Sequence, residues 1–306
     1  MVRNKTKTRA RALQRVRAVL EAAQVPDAWL DAEVLLCHVL GTDRTALYAN
    51  PAVPLTDELA SRLDSLVARR VNREPLAYIR GKREFFLHSF LVTPAVLIPR
   101  PETETLLEYT LAWVYRRSTQ AEPPSLVADI GTGSGCLAVS LAIALPDAHV
   151  FATDSSAAAL EVARENSQLH VTGTRLTFLH GNLLAPLARP VDLIVANLPY
   201  VPDAEFPGLQ PEVRDYEPSE ALVPGGDGTR LNRLLLQQAP AKLRPGGALF
   251  LELHPSQAGT LKQEAEHCFP EGTVQILKDL AGLDRVLAVG LPPLPNLVCL
   301  TPTTPN

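Results

Sequence analysis

The chain has 306 residues, 46% hydrophobic and 20% charged, an ordinary globular composition with length for one large domain and a smaller one. Its formal net charge of −4 argues against a general nucleic-acid coat, so no direct nucleic-acid partner is expected. No apolar run approaches the roughly 18 residues that cross a bilayer, and the basic N-terminus lacks a signal peptide's apolar stretch; a cytoplasmic protein without a membrane partner is expected.

Residues 3–17 carry Arg3, Lys5, Lys7, Arg9, Arg11, Arg15 and Arg17, with Leu13, Val16, Val19, Leu20 and Ala23 at helical spacing. Such a run is usually a solvated helix face; its functional alternative is contact with an acidic partner or ribosomal RNA. A second helix is predicted from Pro26-Asp27 to Gly41, with Pro at its entrance and Gly beyond its end. A third begins near Thr56, carries Leu59, Leu63, Leu66 and Val67, and stops before Pro75. Together they predict an all-α domain over residues 1–75. Residues 76–100 are β-rich with a Gly and a Pro, and read as a hairpin joining two domains. Arg100-Pro101-Glu102-Thr103-Glu104 then heads an apolar-periodic helix. Acids suit a helix start on their own, but the preceding Ile98-Pro99-Arg100 places Arg100 and the acids against a pocket as well.

From Leu126 the pattern becomes strand, turn and helix. Leu126-Val127-Ala128-Asp129-Ile130 is a buried strand, Gly131-Thr132-Gly133-Ser134-Gly135 a tight turn, and residues 136–145 a helix; the next strand, 149–153, ends in Asp154. Glycines let backbone turn sharply and approach a ligand, and an acid after the second strand can hold a ribose diol. A GxGxxG run would point to a dinucleotide with pyrophosphate on the helix. Here Asp129 stands in front and Cys136 takes the place of the last small residue, a spacing that favours S-adenosylmethionine over NAD, with Asp129 engaging its ammonium. A third strand, 176–180, leads to Asn182 and Leu183, which can read and cover an adenine edge.

A fourth strand, 192–196, runs into Asn197-Leu198-Pro199-Tyr200. A fixed Asn can accept a hydrogen bond from a substrate NH2 while a Tyr ring stacks on the planar group that carries it. Taken alone, the stretch equally suits a strand followed by a Pro-containing turn. Further strands at 248–253, 273–278 and 285–289, the last two antiparallel, complete a seven-stranded α/β sheet. Helices are predicted at 228–239 and 256–268. This α/β domain spans 101–290, followed by a Pro-rich tail at 291–306. Cys37, Cys136, Cys268 and Cys299 form no CxxC pair, so reduced thiols and no metal site are expected.

In this order the motifs resemble the peptide-chain-release-factor glutamine methyltransferases, the HemK/PrmC family, over nearly the whole chain. The resemblance is carried by Leu97-Ile98-Pro99-Arg100-Pro101-Glu102-Thr103-Glu104, by Asp129-Ile-Gly-Thr-Gly-Ser-Gly-Cys136, by Asn197-Leu-Pro-Tyr200 and by residues 214–221. It implies a Rossmann-like S-adenosylmethionine-dependent enzyme with a helical substrate-recognition domain, acting as a monomer on the glutamine of the Gly-Gly-Gln loop of release factors. It also implies that the Asn197 side-chain carbonyl and the main-chain carbonyl of Leu198 accept the two N–H bonds of that glutamine amide. Arg100, Glu102 and residues 197–200 are the expected substrate contacts. Asp129, residues 131–135, Asp154, Asn182, Leu183 and Asn197 are the expected cofactor contacts. Leu198 stands where the family usually has Pro, Asn182 where it has an acid, Leu183 where an aromatic is frequent, and Leu251-Glu252-Leu253-His254 departs from its usual ending. The tetrapeptide also resembles that of adenine-N6 methyltransferases acting on RNA or DNA. A ribosomal-protein glutamine is a closer alternative substrate, and a non-catalytic adenosyl-binding module the non-enzymatic one.

Overall fold

The computed structural model describes residues 8–119, 121–170 and 172–292. The expectations for Arg3, Lys5, Lys7, Cys299 and the tail beyond Pro292 lie outside these residues. The chain divides into two units: the first runs to Lys82 and includes the separate segment Gln210–Tyr216, and the second holds the remainder.

Polar caps start the helices of the first unit. Thr8 precedes α1 (Arg9–Ala22) and accepts the Arg11 N–H at 3.5 Å. Helix α2 (Ala28–Leu40) ends at Gly41, whose φ of 61° only glycine adopts without strain. Asp43 caps α3 (Arg44–Ala49) through the Ala46 N–H at 2.7 Å, and Thr56 caps α4 (Asp57–Val71) through the Leu59 N–H at 3.2 Å. Leu13, Val16, Leu20, Leu35, Leu36 and Leu63 supply the core. The basic face of α1 is partly paired: Arg15 meets Asp64 at 2.5 Å, and Arg17 meets Glu21 at 2.6 Å while lying over Trp29. A buried ion network holds Gln210–Tyr216 in this unit. The Arg70 guanidinium, almost wholly buried, donates to Asp31 at 2.6 Å and Glu212 at 2.9 Å, and Arg73 adds two bonds to Glu212 at 2.7 and 2.6 Å.

Residues 76–100 are not one hairpin. Leu76–Arg80 forms helix α5 behind Pro75 and stops at Gly81; an apolar run of five residues carries no period that separates a helical turn from a strand. The hairpin itself is shorter, β1 (Lys82–Phe85) and β2 (His88–Leu91).

In the second unit α6 (Pro101–Ser118) starts with Pro at its first position and two acids in its first turn, where the dipole favours them. The chain then alternates through β3 (Leu126–Ile130), α7 (Cys136–Ala144), β4 (His149–Asp154), α8 (Ala157–Leu169), β5 (Leu176–His180) and β6 (Val191–Ala196). After the short α9 (Pro211–Arg214) of the first unit come α10 (Arg230–Gln238), β7 (Leu243–Glu252), α11 (Ala258–Cys268), β8 (Thr273–Lys278) and β9 (Asp284–Gly290). These build a seven-stranded sheet in the order β5-β4-β3-β6-β7-β9-β8, parallel except for β9, which is antiparallel to both neighbours.

Central strands β3 and β6 are buried at every position, as a parallel sheet covered on both faces requires. Val127, Leu193, Val195 and Phe250 pack on one face with Leu106, Leu107, Trp113, Leu137 and Leu141. Ile130, Ile194, Leu249 and Leu251 pack on the other with Leu184, Leu235 and Leu261. Asp192 pins the start of the sheet: its Oδ2 accepts the Ser125 and Leu126 N–H groups at 3.0 and 2.9 Å and meets Arg244 at 3.1 Å. Register aligns the carboxyl ends of the central strands. Ile130 pairs with Ala196 and Ala196 with Leu251, so Gly131, Asn197 and Glu252 come next on three adjacent strands. Among the described residues no helix is long and apolar enough to cross a membrane.

Removing one partner of a buried ion network leaves the other charge desolvated and unpaired. Glu212→Ala should therefore lower the stability of the first unit by about 3 kcal/mol. Amide exchange should show Gln210–Tyr216 losing protection first; unchanged protection there would contradict the role given to Glu212.

Candidate functional site

A cavity of about 600 Å³ opens at the carboxyl ends of the parallel strands, where an open α/β sheet characteristically binds ligands. Its floor is the turn after β3. The Gly131 and Thr132 N–H groups both donate to the Thr153 carbonyl at 2.9 Å, and the Gly133 N–H donates to Asp154 Oδ2 at 2.9 Å. Gly131 has φ 71°, and a Cβ there would stand 2.8 Å from Leu198 Cδ2, so glycine is required both for the turn and for the approach of the β6 loop.

Asp129 is wholly buried beneath the turn. Its Oδ2 accepts from the Thr132 hydroxyl at 2.6 Å and from the Ala138 N–H at 3.1 Å, while Oδ1 has no partner. Burial pushes its pKa up to about 7, against the pull of those two hydrogen bonds. The carboxylate thus staples the glycine turn to the start of α7 with one oxygen and leaves the other unsatisfied. Asp154 lines the cavity; besides Gly133, it accepts the Ser156 N–H on Oδ1 at 2.8 Å. Burial raises its pKa, and the backbone N–H groups pull it down. Asn182 is exposed at the rim. Leu183 is buried beside it at φ 47°, and its carbonyl accepts the Thr153 hydroxyl at 3.1 Å.

Beyond β6, Asn197 lies at the cavity wall with its Nδ2 donating to Thr103 Oγ1 at 2.9 Å. That bond commits the amide's donor end to α6 and leaves its carbonyl oxygen as the free acceptor. Leu198 lacks the locked φ of a proline, but its side chain is 3% exposed and packs over the glycine turn among Ile130, Leu183 and Leu184, so packing restrains the loop instead. Pro199 lines the cavity and Tyr200 does not. The Tyr200 hydroxyl donates to Glu252 Oε1 at 3.2 Å, its ring lies 6.4 Å from that of His254, and its carbonyl accepts from Gln257 Nε2 at 2.8 Å. Glycine is also obligatory at 228, where a Cβ would collide with the Tyr200 carbonyl.

Arg100 reaches the cavity but is engaged by Glu217 at 2.6 Å; the same carboxylate accepts the Ile98 N–H at 3.0 Å. Glu217 is almost wholly buried, and burial raises its pKa against the pull of Arg100. Glu102 is exposed on the first turn of α6, outside the cavity lining. Of the residues singled out in the sequence, Arg100, residues 131–134, Asp154, Asn182, Leu183, Asn197, Leu198 and Pro199 share one cavity. Asp129, beneath the turn, and Gly135, at its end, do not line the cavity. Thr103, Glu217 and Glu252 lie within stretches noted in the sequence but receive no role there, and Gln257 and Asn166 are not singled out at all. Asn166, wholly buried on α8, ties the Ser134 carbonyl at 2.8 Å to both backbone groups of Leu91. A signal for Glu252 is present nonetheless: a lone carboxylate in an apolar strand is costly to bury without a purpose.

The arrangement is a glycine-floored cleft lined by Asp154 and Asn197, with the unpaired Asp129 Oδ1 buried beneath the turn. Residues 11–81 match the model of the PrmC N-terminal domain and residues 117–208 that of the methyltransferase small domain. A release factor glutamine methyltransferase of Geobacter sulfurreducens is 46% identical over 246 residues, 80% of this chain and 84% of the relative. One of Nitratidesulfovibrio vulgaris is 41% identical over 281 residues, 90% and 92% of the two chains. The chain belongs to the release factor glutamine methyltransferase family. In fold alone it also resembles the 16S rRNA N2 G1207 methyltransferase of T. thermophilus, at 20% identity and a TM-score of 0.50 over 69% of this chain and 49% of that one.

Because Asp129 holds its proton more tightly folded than its ordinary value of 3.8 allows in the unfolded chain, the native state binds more protons than the unfolded state between about pH 4 and 7. Stability contributed by this group therefore falls as pH rises through that window. Asp129→Asn keeps an acceptor for Thr132 and Ala138 and removes the titration. Thermal melts of the ligand-free protein from pH 5.5 to 7.5 should show a shallower decline in the variant than in the parent; equal slopes would refute the assignment.

Proposed function

We propose that this chain transfers a methyl group from S-adenosylmethionine to the side-chain amide nitrogen of the glutamine in the Gly-Gly-Gln loop of peptide chain release factors. The observation that carries this reading is the orientation of Asn197, whose NH2 is held by Thr103 so that its carbonyl oxygen is free for a donor in the cavity. Family membership favours a release-factor glutamine over the ribosomal-protein and adenine alternatives that the tetrapeptide leaves open.

The residues fit the cofactor. Asp129 Oδ1, buried and without a partner, suits an ammonium group. Asp154 keeps lone pairs beyond those used by Gly133 and Ser156, as a carboxylate with roughly four acceptor sites can, and these suit a ribose diol. Above Gly133 a Cβ would meet no atom within 4 Å, so backbone is open to a ligand there. Asn182 and Leu183 are assigned to the adenine edge. When bound, S-adenosylmethionine supplies a methyl group on a positively charged sulfur, already activated for transfer.

An amide nitrogen is a poor nucleophile because its lone pair is delocalised into the carbonyl, so the protein's contribution is placement. Asn197 Oδ1 and the Leu198 main-chain carbonyl accept the two N–H bonds of the glutamine amide and aim its nitrogen. Leu198, packed on the glycine turn, ties that aim to the cofactor floor. Tyr200, with its hydroxyl engaged by Glu252, braces the loop from outside the cavity. Arg100, fixed by Glu217, shapes the opposite wall. The proton displaced from the methylated nitrogen passes to water at the cavity mouth. Ideal placement lowers a barrier by about 7–11 kcal/mol, and a displacement near 1 Å forfeits about a hundredfold in rate. The helical first unit is assigned to recognition of the protein substrate.

Mass spectrometry of the Gly-Gly-Gln peptide, after incubating a release factor with the protein and S-adenosylmethionine, should show a gain of one methyl group on the glutamine. A methyl appearing elsewhere, or none, would reject the function. Asn197→Ala should lower the transfer rate by about a hundredfold or more while cofactor affinity stays within about twofold; unaltered turnover would reject the clamp. Asp154→Ala should instead weaken cofactor binding, and an unchanged titration would remove its ribose role.

A further inference from the structure

The loop that leaves the carboxyl end of β6 is held from behind by a residue outside the cavity lining. Gln257, in the turn between β7 and α11, is 4% exposed. Its Nε2 donates to the Tyr200 carbonyl at 2.8 Å and to the Asp227 carbonyl at 3.1 Å, and its Oε1 accepts the His254 N–H at 3.4 Å. The two carbonyls belong to separate loops, 57 and 30 residues before Gln257 in the chain. We propose that Gln257 is a positioning residue: by holding the Tyr200 carbonyl it sets where the nearby Leu198 carbonyl stands for the substrate amide.

The pairing of β6 with β7 ends at Ala196 and Leu251, so carbonyls beyond it need partners other than a strand. Gln257 supplies one for each of two loops. Its side-chain oxygen is committed to the His254 N–H, and its main-chain N–H donates to the His254 carbonyl at 2.9 Å. The NH2 end is thereby left facing Tyr200 and Asp227, and the two N–H bonds of one amide meet two main-chain acceptors. Gly228 closes the junction from a third side, where a Cβ would collide with both the Tyr200 oxygen and Gln257 Nε2.

Tyr200 is consequently held at two points by the chain leaving β7, its hydroxyl by Glu252 at 3.2 Å and its carbonyl by Gln257. At the other end of the loop Asn197 is held by Thr103. Between these anchors lie Leu198, its side chain buried on the glycine turn, and Pro199, its φ locked by the ring. A shift of the Tyr200 anchor therefore moves the Leu198 carbonyl while the turn at 131–135 stays in place. The Asp227 bond carries the same constraint to the segment that gives Val223, Pro224 and Arg230 to the cavity lining. That segment is joined to the loop again where the Val201 N–H donates to the Leu222 carbonyl at 2.9 Å, and where Asp203 and Gly226 exchange bonds of 3.1 and 2.8 Å.

This inference rests on the clamp role given to Leu198, and one arm of its test needs no turnover. Crystal structures of the ligand-free parent and of Gln257→Met, which keeps the length and removes the donors, should show the Leu198 carbonyl displaced in the variant while residues 131–135 superpose. A Leu198 carbonyl that does not move overturns the proposal whether or not the protein methylates a release factor. In the second arm, at saturating S-adenosylmethionine and release factor, Gln257→Met should lower kcat about tenfold or more, with cofactor Kd within about twofold. Gln257→Glu has the same shape but sets carboxylate oxygens against both carbonyls, and should be slower than Gln257→Met. A residue that only fills space would give neither the loss in Gln257→Met nor this order. Parental kcat in Gln257→Met, a Gln257→Glu enzyme that is no slower, or cofactor affinity falling in parallel with kcat overturns the positioning role; if Gln257→Glu does not fold, Gln257→Met supplies both arms.

Discussion

An NH2 group can be held from both of its N–H bonds only by acceptors, and an asparagine offers an acceptor and a donor of nearly the same shape. The proposed clamp therefore depends on telling the two ends of Asn197 apart. The bond from its Nδ2 to Thr103 does so at 2.9 Å, and it exists because two elements distant in sequence converge: the carboxyl end of β6 and the first turn of α6. Everything that fixes those two ends relative to each other also fixes the Asn197 amide.

The sheet supplies most of that constraint. Strands β3, β6 and β7 are locked in parallel register and buried on both faces, so the residues leaving their carboxyl ends arrive side by side. Gly131 allows Leu198 to descend onto the turn, and Leu198 fills that space to 3% exposure. A proline would preset this loop through its ring. Leucine does so by burying apolar surface against the glycine turn, which couples the loop after β6 to that turn. Glu217 acts similarly on the other wall, where one buried carboxylate holds both the Ile98 N–H and Arg100. The stretch between the Asn197 loop and Glu217 includes Gln210–Tyr216, which packs with the first unit through Glu212.

The second unit's framework is legible in the sequence where periodicity and punctuation agree. The run from Leu126 through the glycines to Asp154 reads as strand, turn, helix and strand because buried parallel strands are continuous apolar runs and only glycine suits the turn. Helix α8 escapes that reading, since its Ala-rich start and polar end show a weak apolar stripe, and α5 reads as strand because five residues carry no decisive period. Within the site, the glycines, Asp154 and Asn197 announce themselves by motif. Gln257 and Asn166 do not, and Thr103 and Glu217, though inside motif stretches, show no partner there; only the fold brings each to a partner distant in sequence. Tyr200 and Glu102 illustrate the converse, being conspicuous in sequence yet standing outside the cavity lining.

The clamp is tested most directly by a structure of the protein with S-adenosylhomocysteine and a Gly-Gly-Gln peptide, at a resolution or by a neutron method that distinguishes N from O in amides. The peptide glutamine nitrogen should lie at about 3 Å from both Asn197 Oδ1 and the Leu198 carbonyl oxygen, with Asn197 Nδ2 still on Thr103. An Asn197 amide reversed toward the ligand, or a glutamine bound away from residues 197–199, would contradict the clamp.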